Sequence, residues 1–373
     1  MEHRFRGTPF TVGIEEELML LDAETLDLTQ GIETILGDLG PEFEDRVKPE
    51  LLQSVLEIAT VPQPTIDAAA EELRELRSTV SAAAERHGMR LAASGTHPTA
   101  LWEDQLIVER PRYEELAAEL GFIARQELIF GTHVHVGVTG PNKAIYIADG
   151  LRKHLPLLLA LSANSPLWRG EATGMMSSRT PVFRAFPRVG IPPHYGSWEI
   201  YSRRVKLMMD AGVIPDYTYL WFDVRPHPKL GTVEVRVFDQ QTRLENTVAL
   251  AAMVLALVHR YGTLFDDQQA LVEIPTELID DNKVRAALRG TDGELVDFPN
   301  PEQCPATDMA SRLLEELREH AEEVGCASEL EGVRGLIEGG TGAHRQLEVL
   351  QRTGDTKALV RALCEATLPE SAS

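Results

Sequence analysis

The chain has 373 residues, of which 43% are hydrophobic and 25% charged. This composition supports a large buried core and excludes a disordered or fibrous chain. The formal net charge of −22 excludes a nucleic-acid partner, which needs a basic counter-surface, and it argues equally against anionic membranes. Residues 1–10 are polar and lack a signal core, and the most apolar stretch, 247–258, is too short to span a bilayer. Cys304, Cys326 and Cys364 are odd in number and widely spaced, so they form neither a disulfide framework nor a metal-binding pair. A reducing cytoplasm is the expected setting.

In chain order, residues 11–22 read as a strand, and 65–86 read as a helix capped by Thr65 or Asp67 and stopped at Gly88. A short strand at 91–94 and a helix at 112–120 follow. Residues 129–138 form a strand, and 144–161 an apolar helix that Pro156 should kink. Residues 162–195 are rich in Pro, Gly, Ser and Arg without periodicity, and they read as a long irregular loop of the kind that often binds substrate. Strands at 219–225 and 232–239 are joined through Pro226, Pro228 and Gly231, and helices are expected at 244–260, 306–324 and 344–363. There are no internal repeats, no phosphate-binding glycine loop and no clear domain boundary. The expected class is α+β with a mainly antiparallel sheet, as one catalytic domain over 1–373 whose C-terminal part, 306–366, is helical.

The chemistry lies in the strands. A period of two places Glu15 and Glu17 on one face of the first strand, with Ile14, Glu16 and Leu18 on the other. His133 and His135 share a face opposite valines, as do Glu234 and Arg236. Glu57 is the one carboxylate in the apolar run 55–59. Any one of these strands reads first as an ordinary strand with a solvated face. Together they offer Glu, His and Arg with hardly a lysine. If one sheet gathers Glu15, Glu17, Glu57 and Glu234, two carboxylates ~6 Å apart repel by roughly 3 kcal/mol at an effective dielectric near 20, a cost that bound cations would offset. Oxygen-rich sites with one or two imidazoles suit Mg²⁺ or Mn²⁺. Carboxylate-held Mg²⁺ beside arginines is equipment for phosphoryl transfer. The loop supplies Arg179, Arg184 and Arg188, and the hairpin Arg225 and Arg236, which rank ahead of the other three.

The segments 13–17 (GIEEE), 131–137 (GTHVHVG) and 232–236 (TVEVR), with 223–228 (DVRPHP) and 164–166 (NSP) between the last two, resemble the carboxylate–amine ligases called glutamate–cysteine ligase type 2. These motifs run from about residue 11 to 260, so the resemblance covers most of the chain; they are specific jointly and weak singly. The resemblance implies a glutamine-synthetase-like fold, whose curved, mainly antiparallel sheet forms an active-site funnel flanked by helices. It implies Glu15, Glu17, Glu57, His133 and Glu234 as metal ligands and Arg236 as the group that stabilises the transferred phosphoryl. Arg225 would touch a phosphate or the substrate carboxylate. Arg179, Arg184, Arg188, His135 and Ser165 are further candidates for holding ATP or substrate, and Glu50 matches less closely. The 339–345 segment reads either as a substrate loop or, more simply, as the turn that starts a helix.

The implied activity uses ATP and Mg²⁺ (or Mn²⁺) to turn the side-chain carboxylate of glutamate into an acyl phosphate, which an amine, nominally cysteine, then attacks. A homodimer is the assembly the resemblance suggests. Two alternatives stay open at this point: a metal-dependent amidohydrolase, since His-x-His also ends strands in those barrels, and a non-catalytic nucleotide or amino-acid binding protein.

Overall fold

A computed structural model describes residues 1–298 and 300–368. Residues 299 and 369–373, which fall inside the expected 1–373 domain, lie outside the described residues. Seven strands form the main sheet: β1 (Val12–Asp22), β2 (Val47–Pro49), β3 (Val55–Ala59), β4 (Met89–Ala92), β5 (Gly131–Gly137), β6 (Val224–His227) and β7 (Thr232–Asp239). Their order is β6-β7-β5-β1-β3-β2, with β4 also on β1, and every pairing is antiparallel. The parallel barrel that the amidohydrolase alternative borrows from is therefore absent from this sheet.

β1 organises the sheet because it is long enough to serve three partners. Residues Val12 to Glu16 pair with β5, and Glu15 to Met19 pair with β3. Met19 to Asp22 pair with β4. Met19 is paired to both β3 and β4, so β4 takes over the side of β1 that β5 leaves. Beyond this fork Met19, Leu20 and Leu21 are all fully buried, and the alternation of the first half ends.

The valine faces of β5 and β7 are buried: Val134, Val136, Val233, Val235 and Val237 join one core with the apolar helices Pro141–Leu151, Leu155–Ser162 and Leu244–Asp266. The apolar stretch at 247–258 thus belongs to a helix of 23 residues, long and apolar enough by composition to cross a membrane, but every residue from Ala249 to Val258 is buried inside the fold. The predicted kink at Pro156 is a full break. A 3₁₀ turn, Arg152–His154, separates the two helices, and Pro156 sits in the first turn of the second, where its missing N–H costs nothing.

Residues 162–195 are less irregular than their composition suggests. They contain the small hairpin Leu167–Trp168/Glu171–Ala172, the helix Arg179–Phe183 and the strand Val189–Gly190, which pairs with Trp221–Phe222. The expected strand 219–225 is accordingly split, its first half leaving the main sheet. The C-terminal helix is also two, Gly342–Thr353 and Thr356–Thr367, broken at Gly354, which adopts positive φ. The 339–345 segment is the turn before the first of these: Thr341 N–H donates to His344 Nδ1 at 3.0 Å.

Candidate active site

The face of the sheet opposite the valines lines a cavity. Glu15 and Glu17 from β1, Glu57 from β3 and His133 from β5 contribute to it, with Glu50, Glu127, Arg179, Arg225 and Arg236. Antiparallel register explains the gathering. Glu17 lies directly across from Glu57, and Glu15 directly across from His133. On the other side of β5, His135 faces Glu234, which in turn faces Arg225. Residues opposite one another have Cβ atoms about 5 Å apart, so five strands deliver one cluster.

Two carboxylates placed directly opposite should repel. Burial first, and then the charges of Glu15 and Glu50, push the Glu57 carboxyl well above its ordinary range. Burial and Glu17 push Glu50 up to about 7, and burial with Glu17 and Glu50 also raises Glu127 well above the usual value. Glu15 goes the other way. Burial opposes its ionisation, but the charge on His135 and the hydrogen bond from His133 Nδ1 at 3.0 Å outweigh burial and hold it well below the carboxylate range.

Glu234 is fully buried and does not line the cavity. Burial disfavours its charge, yet Arg225, Arg236 and His135 overcome this and hold its carboxyl well below the usual range. Its oxygens are taken: Arg225 donates to both, and Arg236 Nη1 donates to Oε1 at 2.5 Å. Arg225 also donates to the carbonyls of Thr218 and Leu220 at 3.0 and 2.9 Å, which leaves it little to offer a ligand. Arg236 differs. It sits at a β-bulge, where the β7–β5 register shifts between Val235 and Phe238 and its own N–H turns to Asp223 O. Its Nε is buried without a hydrogen-bond partner among the described residues, and so is the Nε of Arg179.

The other loop candidates separate from the cavity. Arg184 makes a two-pronged surface ion pair with Asp280 at 2.8 and 2.6 Å, and Arg188 donates to Tyr219 O and lies over the Trp221 ring. Neither lines the cavity, although Phe183 and Phe186 on the same stretch do; the two guanidinium groups are held instead by Asp280 and by Tyr219 O. Ser165 does not line it either; it donates to Asp239 Oδ2 at 2.6 Å and accepts from Arg179 N–H at 3.1 Å. It is a positioning residue that fixes where the Arg179 helix begins. A Cβ on Gly131 would come within 2.5 Å of Arg179 Nη2, so that glycine makes room for the guanidinium.

Glu127 carried no periodic signal, since it lies in the turn between the helix Phe122–Arg125 and β5. Gln240 was also missed. Its Oε1 accepts from Glu17 N–H at 3.1 Å and from Thr132 Oγ1 at 3.0 Å, pinning β1 to the end of β7. A run of polar residues just past a strand, Asp239 to Thr242, is the only sequence signal for it.

The donor set fits a divalent ion. One atom each from Glu15, Glu57 and His133 lies within 4.8 Å of the others, and the same holds for Glu15, His135 and Glu234. The Nε2 atoms of His133 and His135 are buried without a hydrogen-bond partner among the described residues, the usual sign that something else is meant to satisfy them. Of the two groups the first fits better, because the arginines already occupy Glu234.

Residues 11–364 match the pattern of the glutamate-cysteine ligase family 2. A Rubrobacter xylanophilus protein named "Putative glutamate--cysteine ligase 2-1" is 42% identical over 369 residues, 99% of this chain and 98% of that one. A Sorangium cellulosum protein named "Putative glutamate--cysteine ligase 2" is 44% identical over 358 residues, covering 95% and 96%. The crystal structure of a Francisella tularensis glutamate–cysteine ligase in complex with AMP superposes with a TM-score of 0.72 at 14% identity, over 99% of this chain and 90% of that one, which establishes a common fold.

Proposed function

Because the chain belongs to the glutamate-cysteine ligase family 2, we propose that it is an ATP-dependent ligase forming an amide bond between the side-chain carboxylate of glutamate and an amine, nominally that of cysteine. The observation that carries this is the convergence of five carboxylates, Glu15, Glu17, Glu50, Glu57 and Glu127, with two under-used guanidinium groups, Arg179 and Arg236, in one cavity. A surplus of buried anions beside aimed cations suits a cation–polyphosphate complex far better than it suits a hydrolytic water.

Glu15, Glu57 and His133 would hold Mg²⁺ or Mn²⁺, with Glu17 beside them. When bound, the ion neutralises charge on the phosphate oxygens. Arg236 and Arg179 aim N–H groups at the γ-phosphoryl group, and Arg225, locked on Glu234, keeps that carboxylate in place to orient Arg236. The glutamate carboxylate attacks the γ-phosphorus, ADP leaves, and the acyl phosphate is attacked by the amine with release of phosphate. The protein supplies position and charge and needs no covalent nucleophile. The cytoplasm fits the three free cysteines. One catalytic unit over 1–373 and a homodimer complete the proposal; the homodimer rests on family resemblance alone.

The test is an ADP-release screen with Mg²⁺, ATP and glutamate against a library of amines. Glutamate-dependent ADP release with at least one amine, cysteine first among them, is the expected result. ADP release indifferent to both glutamate and amine would overturn the reading.

A further inference from the structure

A second group of ligand-type side chains shares no residue with the cavity. His259 on the helix Leu244–Asp266 faces His320 and Glu323 on the helix Ala306–Glu323, and one donor atom from each lies within 4.8 Å of the others. We propose that His259, His320 and Glu323 form a binding site for a borderline divalent ion of the zinc class, which clips the long core helix to the C-terminal helical part.

The spacing argues for it at two levels. His320 and Glu323 are three residues apart on one helix and so project from the same face, and His259 meets them from the packed partner helix. The two imidazole nitrogens, His259 Nδ1 and His320 Nδ1, are 3.2 Å apart. Nitrogen ligands at 2.0–2.1 Å from a tetrahedral ion stand about 3.3 Å from one another, so this pair is already at ligand spacing. Glu323 Oε2 is 3.4 Å from the other ring nitrogen of His259, Nε2, so to join the Nδ1 pair it must swing around the ring; its side chain is 55% exposed, which leaves it free to do so. That opening also admits water as a fourth ligand.

The chemistry separates this site from the cavity. Two imidazoles and one carboxylate favour Zn²⁺, Co²⁺ or Ni²⁺, whereas the carboxylate-rich cavity favours Mg²⁺. Burial first, then His320 and Lys143, disfavour positive charge on His259, while Glu323 favours it; the Lys143 ammonium is engaged by Asp266 at 2.6 Å. The competing account is a plain imidazole–imidazole hydrogen bond across a helix interface.

Equilibrium dialysis of Zn²⁺ against the full chain, in excess Mg²⁺, decides between them when wild type is compared with His320→Ala. The wild type should retain one more Zn²⁺ per chain than the variant, and Zn²⁺ should raise its melting temperature while leaving that of the variant unmoved. His320→Gln, which keeps the length of the side chain, gives the same comparison should the alanine variant fold poorly. Mg²⁺-supported ADP formation should be equal in all three proteins. Equal Zn²⁺ retention and equal thermal shifts in wild type and variant would overturn the site. The readout does not depend on the ligase reading, so the two can fail separately.

Discussion

Arg236 and Glu57 illustrate what a single side chain contributes in this cavity. Arg236 reaches the cavity with its Nε unpartnered and one Nη held by Glu234. Lysine would keep the charge and lose the planar fork. Arg236→Lys should therefore lower kcat for ADP formation by roughly a hundredfold or more with little change in melting temperature, and near wild-type turnover would remove Arg236 from the phosphoryl contact.

Glu57 is a different case, because its burial and its neighbours Glu15 and Glu50 raise its carboxyl pKa in the folded state. The sign follows directly. A carboxyl whose pKa is raised by folding costs nothing at low pH and costs stability as pH climbs from its ordinary value, near 4.5, through the folded value. For Glu50 that window ends at about 7. At pH 8, Glu57→Gln should raise the melting temperature of metal-free protein and shrink the rise that Mg²⁺ produces. In wild type, the Mg²⁺-induced shift should grow between pH 5 and 8. A shift independent of pH would mean that the carboxylates are not what the ion binds.

At the scale of elements, strand alternation made Glu15, Glu17, Glu57, His133 and the Glu234–Arg236 pair legible, because a period of two reports which face a side chain takes whatever the tertiary structure. The same period could not distinguish Glu234, sealed beneath two arginines, from Glu15, which faces the cavity; that difference comes from which strand lies beside which. It gave no role to Glu16 either, which shares the apolar face of β1. Glu127 and Gln240 lie outside periodic segments, and the three loop arginines differ in the partners that the tertiary structure gives them, Asp280 for Arg184 and Tyr219 O for Arg188. The helix Thr276–Arg289 has little apolar periodicity, whereas Trp198–Asp210 does carry a signal, with Ser197 as its cap and Trp198, Tyr201 and Val205 at helical spacing, that a strand-centred reading leaves out.

Asp239 sets the start of the Arg179–Phe183 helix by accepting hydrogen bonds from Asn164 N–H and from the hydroxyls of Ser165 and Ser177, at 2.6–2.8 Å. Gly131→Ala tests the arrangement from the opposite side. Its added methyl would displace the Arg179 guanidinium, and kcat/KM for ATP should fall about tenfold or more while the protein stays folded. Unchanged kinetics would place Arg179 outside the reaction.

For the whole molecule, the face of β1 opposite the cavity carries a buried ion pair. Glu16 and Arg77 are both fully buried and doubly bonded at 2.7 Å. Arg77 also donates to the carbonyls of Gln241, Thr242 and Thr367, so a single guanidinium ties β1, the helix Ile66–Arg86, the segment after β7 and the end of the C-terminal helix together. Removing one partner strands a buried charge. Arg77→Met should cost about 3–5 kcal/mol in denaturant unfolding, and a loss below about 1 kcal/mol would show that the network is not needed for stability.

In the proposed reaction, carboxylates from separate strands grip a divalent ion around a triphosphate so that a carboxylate can be phosphorylated. Trapping with hydroxylamine in place of the amine tests it most directly. With ATP, glutamate and Mg²⁺, hydroxamate should form in step with ADP, vanish on chelation of the metal, and fall together with ADP in Glu57→Gln. Hydroxamate formed without ATP, or undiminished when the metal is chelated, would contradict it.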